Sequence, residues 1–236
     1  MMSISYSVFS ANSCDTFPAI CGPSFTLRLG LPTPRTHRAH RPPKGGDRHR
    51  GMKILALSGS LRAASINSAV LRAAVRLAPP GTTVSLFKSL GQLPLFNPDL
   101  ESDVPDVVAT FQRTVAQSDA LIIASPEYAH GVTGTIKNAL DWLVGSEAFA
   151  GKPVAVLNTS PRAHHADAAL RETLKTMAAV VIEAASVTIP LLGAQLDEAS
   201  MIDSPSLASA ISGSLTALRN AILTPTEVVT PLFPLR

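Results

Sequence analysis

The sequence predicts an α/β fold in which a doubly wound, five-stranded parallel sheet lies between two layers of helices. From Met52 onward, short apolar segments of strand length alternate with longer segments of helical length. Three short segments, at 52–57, 120–124 and 154–157, are apolar except for Lys53, which is typical of strands covered on both faces. Repeated strand–helix units of this kind build a three-layer domain.

The first half of the pattern predicts two strands and two helices. Strand one at 52–57 is followed by a helix at about 65–78, which ends before Pro79 because proline cannot continue a helix. Strand two covers about 82–87. A loop, KSLGQLPLFNPDLESD, leads to a second helix at about 104–117.

The second half predicts three more strands. Strands three and four, at 120–124 and 154–157, precede helices at about 135–143 and 167–179. Strand five lies near 180–189, and the last helix covers 205–223. Five strands fit a flavodoxin-like sheet of order 2-1-3-4-5 better than a six-stranded dinucleotide-binding sheet. Ligands of such sheets bind at the carboxyl ends of the strands.

Charge divides the chain into an extension and a body. Residues 1–51 carry a net charge of +5 and residues 52–236 a net charge of −2. We expect 1–51 to be a disordered basic extension, 52–223 to be one domain and 224–236 to be a loose tail. The extension could be a basic arm, a targeting peptide, or a segment upstream of a natural start at Met52. Because the basic excess belongs to the extension, nucleic acid is not an expected partner.

Both cysteines, Cys14 and Cys21, lie in the extension. The body therefore has no thiol nucleophile and no cysteine metal ligand, so redox chemistry there would need a bound cofactor. No apolar run approaches the ~18 residues of a membrane helix. We expect a soluble, cytoplasmic protein with no membrane partner.

The loop after strand one, SGSLRAASIN at 58–67, has the side chains of an anion site. Ser60 and Ser65 offer hydroxyls, Asn67 offers an amide, and Arg62 offers a charge-assisted contact. The N-terminus of the following helix adds free N–H groups, so the loop predicts a phosphate site. The alternative is that Ser60 or Ser65 only caps the helix.

The loops after strands three and four, SPEYAHGVTG and NTSPRAHH, would reach the same edge of the sheet. Tyr128 could lie beside a flat ring, whereas Glu127 could be a general base or a structural hydrogen-bonding group. Ser160 could cap the following helix. We expect the loop histidines, His130, His164 and His165, to be exposed, and we predict no metal site.

With these motifs the chain resembles the NADPH-dependent FMN reductases, the flavodoxin-like group that includes quinone, chromate and azo reductases. The resemblance rests on SGSLRAASIN, on SPEYAHGVTGTIKNALDWL and on the later Ser160-Pro161 pair, and it covers about 52–223. The sequence departs from the common pattern in two places. Ala129-His130 stands where Asn-Tyr is frequent, and Val132-Thr133-Gly134 stands where a Pro-Gly pair is frequent.

The resemblance implies a cofactor site and a mechanism. The implied FMN-binding residues are Ser60, Leu61, Arg62, Ser65, Asn67, Pro126, Glu127, Tyr128, Ala129 and Ser160. NADPH or NADH would give hydride to flavin N5, and a small-molecule acceptor would then take two electrons, with no catalytic side chain required. Quinones, azo compounds, chromate and free flavin are the implied acceptors, and the family implies a homodimer or homotetramer. The alternatives are a flavodoxin-like electron carrier and a flavin-binding module without turnover.

Overall fold

The computed structural model describes residues 51–191 and 196–224. The extension and the tail predicted from the sequence lie outside this part, apart from Gly51 and Thr224. The strands and helices are β1 (Met52–Ser58), α1 (Ile66–Arg76), β2 (Thr82–Leu86), α2 (Asp106–Gln117), β3 (Ala120–Ala124), β4 (Glu127–Tyr128), β5 (Gly131–Val132), α3 (Gly134–Asp141), β6 (Pro153–Asn158), α4 (His164–Thr176), β7 (Val180–Val181), β8 (Val187–Thr188), α5 (Glu198–Asp203) and α6 (Pro205–Leu223).

The central sheet has the strand order β2-β1-β3-β6-β7, and every neighbouring pair in it is parallel. This confirms the predicted three-layer α/β fold and its order, since β6 and β7 correspond to predicted strands four and five. The winding direction changes at β1, because the next two strands of the sheet along the chain, β2 and β3, lie on either side of it. The carboxyl ends of β1, β3 and β6 therefore meet at one edge of the sheet.

Predicted strand five is interrupted. β7 pairs with the start of β6 and β8 pairs with its end, and the 3-10 turn Glu183–Ala185 lies between them. The Ser186 hydroxyl accepts a hydrogen bond from Val156 N at 3.0 Å, so a side chain replaces the missing backbone partner. The prediction of one continuous strand was wrong, because the sequence pattern does not reveal that the turn Glu183–Ala185 interrupts it.

Each face of the sheet carries one hydrophobic core. Ile54 and Ala56 of β1 pack in the core formed with α1, α5 and α6. Leu55 and Leu57 point to the opposite core, which α2, α3 and α4 cover. Alternate residues of one continuously apolar strand therefore serve two cores, as expected for a sheet buried on both faces.

Two helices differ from the prediction. α4 begins at His164 rather than near 167, so His164 and His165 lie in its first turn and not in a loop. Both are exposed, as expected. α5 was not predicted, and the Asp197 carboxylate caps it by accepting from Ser200 N. Within the described residues, no helix combines the length and apolar character needed to cross a membrane.

Candidate functional site

A cavity of about 320 Å³ opens where the loops after β1, β3 and β6 meet. Its volume lies within the usual range of small-molecule sites, about 300–1,000 Å³. All three loops contribute to its walls. The lining residues are Ile66, Asn67, Ser125, Pro126, Glu127, Thr159, Ser160, Arg162, Ala163 and Leu191.

Gly59 holds the first and second loops together. Its N–H donates to the carbonyl of Ala124 at 2.8 Å, which continues the β1–β3 pairing beyond the strands. A Cβ at this position would lie 2.2 Å from Ser125 Oγ and 2.8 Å from Ile136 Cγ1. Only glycine permits this close approach, so the two loops have a fixed separation.

Hydroxyl groups organise the first loop. Ser58 Oγ and Ser68 Oγ are 2.8 Å apart, and Ser65 Oγ accepts from Ser68 N at 3.3 Å. Ser65 therefore caps α1, as the alternative interpretation expected, and its O–H remains a donor. Leu61 and Arg62 are exposed at this edge, and Ser60 is half-buried.

A buried hydrogen bond joins the first loop to the third. Thr159 Oγ1 donates to Asn67 Oδ1 at 3.0 Å, across 92 positions of sequence, and both residues are buried. Because the carbonyl oxygen of the Asn67 amide faces Thr159, its NH2 group is the free donor of that side chain. Sequence reasoning identified Asn67 but missed Thr159, for which the only signal was its place beside Ser160.

The second loop forms a small hairpin. β4 and β5 pair antiparallel, Glu127 with Val132 and Tyr128 with Gly131, around the two residues Ala129 and His130. Both of these have left-handed backbone, with φ of 49° and 58°. Two positive φ values in a two-residue turn are the pattern of type I′, which Asn and Gly adopt more easily than Ala. The Tyr128 side chain is exposed on this hairpin.

Glu127 ties the hairpin to α4. One carboxylate oxygen accepts from Ala166 N at 2.8 Å, and the other accepts from His130 Nδ1 at 2.9 Å. Ala163, the residue before α4, has no side-chain cap to offer, so Glu127 caps this helix from another loop. The hydrogen bond from Ala166 is the largest influence holding the Glu127 pKa below its ordinary value of 4.5. The geometry confirms the hydrogen-bonding interpretation of Glu127.

The third loop corrects the expectation for Ser160. Its backbone N–H donates to Asn158 Oδ1 at 2.9 Å. Its carbonyl accepts from Ala163 N. Ser160 thus lies in a tight turn before α4 and does not cap the helix. The turn places Ser160 and Arg162 in the lining of the cavity.

The structure brings together part of the predicted set. Asn67, Pro126, Glu127 and Ser160 line the cavity. The remaining predicted residues lie on the flanking loops and do not line it: Ser60, Leu61, Arg62, Ser65, Tyr128 and Ala129. Arg162 and Thr159 line the cavity but were not predicted. Among the described residues, no group of three or more His, Cys, Asp or Glu side chains is arranged to hold a metal ion.

Comparison with known proteins identifies one family. The profile described as NADPH-dependent FMN reductase matches residues 52–192, which is more than half of the chain. An NAD(P)H-dependent FMN reductase from Pseudomonas aeruginosa is 41% identical over 112 residues, 46% of this chain and 60% of that protein. A 2-hydroxy-1,4-benzoquinone reductase from Burkholderia is 39% identical over 112 residues, 46% of this chain and 61% of that protein. The matched segments thus span about three fifths of these relatives.

Solved structures show the same architecture over a longer range. The flavoenzyme NAD(P)H:acceptor oxidoreductase FerB from Paracoccus denitrificans is similar with a TM-score of 0.61 and 28% identity. The similarity covers 73% of this chain and 97% of that one. The described fold therefore corresponds to nearly the whole of a flavoenzyme.

Proposed function

The chain belongs to the family of NADPH-dependent FMN reductases, and from this premise we propose that it is an enzyme that binds FMN and transfers electrons from NAD(P)H to quinones. The observation that carries the proposal is the cavity at the carboxyl ends of β1, β3 and β6, with the donor-rich SGSLRAASIN loop beside it. The names of the relatives support the acceptor class, since a curated Escherichia coli relative, 34% identical over 113 residues, is also a quinone reductase.

The residues at the cavity suit a flavin mononucleotide. A phosphate needs hydrogen-bond donors and positive charge. The motif offers Ser60, Arg62 and Ser65 before α1 and Asn67 in the first turn of that helix. The acidic residue lining the cavity, Glu127, has both oxygens engaged with donors. A planar ring needs flat walls, and we assign this role to Pro126, which lines the cavity.

In the proposed mechanism the protein acts by binding and orientation. FMN, when bound, supplies the two-electron redox chemistry that amino acid side chains lack. The proposed roles are phosphate binding by the first loop, contact with the ring system by Pro126, Glu127, Tyr128 and Ala129, and a further contact by Ser160. Asn67 and Arg62 would hold the anionic end through an amide donor and a guanidinium, respectively.

The wider proposal concerns the whole protein. We propose that residues 52–223 form one FMN-binding domain, that NADPH or NADH is the reductant, and that azo compounds, chromate and free flavin are further acceptors. A cytoplasmic location belongs to the same proposal, because that compartment supplies NAD(P)H. The family resemblance also supports a homodimer or homotetramer, for which the exposed Leu95 and Val144 offer apolar contacts.

An absorbance spectrum of the purified protein tests the proposal. Flavin bands near ~450 nm that bleach on anaerobic addition of NADPH, followed by steady NADPH consumption with a quinone, are the expected result. Bleaching without steady turnover would instead indicate an electron carrier. A protein that shows no flavin bands even after incubation with FMN would contradict the cofactor proposal.

A charge deletion in the first loop tests the site. We expect Arg62→Ala to weaken FMN binding by about tenfold or more, because a charge-assisted hydrogen bond contributes about 1.5–3 kcal/mol. Arg113→Ala is the matched control, since Arg113 is exposed on α2 and its guanidinium contacts Thr110 of the same helix. Equal affinities in the two variants would contradict a phosphate site in this loop.

A further inference from the structure

Three histidine rings form a cluster beside the cavity. The ring of His165 lies edge-on to that of His130, with centroids 4.6 Å apart, and its centroid is 4.1 Å from that of His164. His130 comes from the hairpin, whereas His164 and His165 begin α4. The fold therefore brings together rings that are more than 30 positions apart in sequence.

The cluster borders the entrance of the cavity. His130 donates through Nδ1 to Glu127, and His164 directly follows Ala163, and both Glu127 and Ala163 line the cavity. The His130 side chain is 77% exposed. The exposed rings therefore adjoin two residues of the cavity lining, Glu127 and Ala163.

The charged groups around the cluster do not neutralise the positive charge that the histidines gain on protonation. Arg162 lines the cavity and carries a permanent positive charge. The Glu127 carboxylate contacts the cluster, and one of its oxygens already accepts a hydrogen bond from Ala166 N. Asp167, in the same first turn of α4, is paired with Arg171 at 2.7 Å, and Arg171 is also paired with Glu183. With neutral imidazoles the charges of Arg162 and Glu127 cancel each other. With protonated imidazoles the three rings add up to three positive charges.

We propose that His130, His164, His165 and Arg162 form an entrance site that selects electron acceptors carrying a fixed negative charge, and that this selection strengthens as the pH falls. The inference rests on the proposed function and adds to it a class of acceptor, sulfonated or carboxylated quinones. Imidazoles change charge between about pH 5 and 8. Protonated rings 4–5 Å apart repel one another, and an anion bound beside them relieves that repulsion.

A matched pair of acceptors tests the selection. 1,4-Naphthoquinone and its 2-sulfonate share one quinone ring, and the sulfonate is ionised throughout the working range. We expect the ratio of kcat/KM, sulfonate over neutral, to rise by about fivefold from about pH 8 to about pH 5.5 in the wild type. In the triple variant His130→Gln, His164→Gln, His165→Gln the ratio should change by less than about twofold.

Two further measurements separate the possible outcomes. Arg162→Gln should lower the ratio at every pH, because a guanidinium does not titrate in this range. The affinity for the redox-inert naphthalene-2-sulfonate, measured by calorimetry, should also tighten about fivefold at low pH, and only with the histidines present.

A pH-independent kcat/KM ratio, or a rise that survives in the triple variant, would overturn the proposed selection of anionic acceptors. Failure to oxidise NADPH with the neutral quinone, while the sulfonate still binds in this pattern, would overturn the proposed enzyme activity and leave the anion site supported.

Discussion

At the scale of single residues, Thr159 shows how one hydroxyl can determine the orientation of a neighbouring amide. Its hydroxyl donates to Asn67 Oδ1, so the Asn67 NH2 group is left to donate elsewhere. Thr159→Val keeps the shape of the side chain but removes this donor. We expect FMN affinity to fall by about five- to tenfold, as for the loss of a hydrogen bond worth about 1 kcal/mol. Quenching of flavin fluorescence in a titration measures the affinity.

Thr159→Ser is the control for that prediction, because it keeps the hydroxyl and loses only a methyl group. Its affinity should stay near that of the wild type, and the thermal unfolding of both variants should be measured in parallel. Wild-type affinity in Thr159→Val would contradict an orienting role for this residue.

Glu127 makes a pH-dependent contribution to stability. Its pKa in the folded protein lies below the ordinary value of 4.5, chiefly because its carboxylate accepts from Ala166 N. Its stabilising contribution is therefore complete above about pH 4.5 and is lost as the pH falls through the lower, folded-state pKa. Gln at this position can still accept one hydrogen bond but carries no charge. We expect the melting temperature of the wild type to exceed that of Glu127→Gln near pH 5.5.

The same comparison at lower pH is decisive. The difference between the wild type and Glu127→Gln should shrink steadily as the pH falls from about 4.5 to about 3. A constant difference over this range would show that the carboxylate charge does not stabilise the tie between hairpin and α4.

At the scale of elements, the chain leaves α4 through a residue, Ala178, that suits its backbone conformation poorly. Ala178 has a φ of 60°, and its N–H donates to Lys175 O while that of Ala179 donates to Leu174 O. This is the Schellman pattern, in which glycine is the favoured residue at the left-handed position. We expect Ala178→Gly to raise the free energy of unfolding by about 1 kcal/mol, which corresponds to about 2–4 °C in Tm.

A glycine substitution inside α4 itself provides the control. Ala168 is exposed within α4, where glycine costs about 1 kcal/mol relative to alanine. Ala168→Gly should therefore shift Tm downwards and Ala178→Gly upwards. Shifts of the same sign would contradict the assignment of strain to Ala178.

The elements also show what periodicity predicts and what it leaves undetermined. Continuous apolar runs located β1, β3 and β6 because those strands are buried on both faces. The break between β7 and β8 was missed, since it depends on Ser186 replacing a backbone partner. The early start of α4 was missed because its cap, Glu127, comes from another loop and lies 39 positions before Ala166, whose N–H donates to it.

At the scale of the whole molecule, each of the three loops is tied to the other two. Gly59 packs against Ser125, Asn67 bonds Thr159, and Glu127 bonds Ala166. The sequence predicted that these loops share one edge, because the strand order follows from the repeating pattern. It did not predict the ties, which join residues up to 92 positions apart and depend on side-chain geometry.

The proposed homo-oligomer leads to a prediction for two exposed apolar side chains. Leu95 is 83% exposed and Val144 65%, and they flank the hydrogen bond from Trp142 Nε1 to Pro94 O, which is 2.8 Å long. Asn138 further fixes this region by accepting from Phe96 N. Charges introduced here would be desolvated without partners in an interface. We expect Leu95→Asp with Val144→Asp to raise the dissociation constant of the oligomer by more than about tenfold.

Sedimentation over a range of protein concentrations measures that dissociation constant. Val75→Asp is the matched control, because Val75 is a partly exposed apolar residue of α1, the helix that packs on the opposite face of the sheet. The control should keep the oligomeric state of the wild type, and both variants should retain the wild-type circular dichroism spectrum. If the double variant assembles as the wild type does, the interface lies elsewhere on the molecule. If the wild type itself is a monomer at all concentrations, the proposal of a homo-oligomer is wrong.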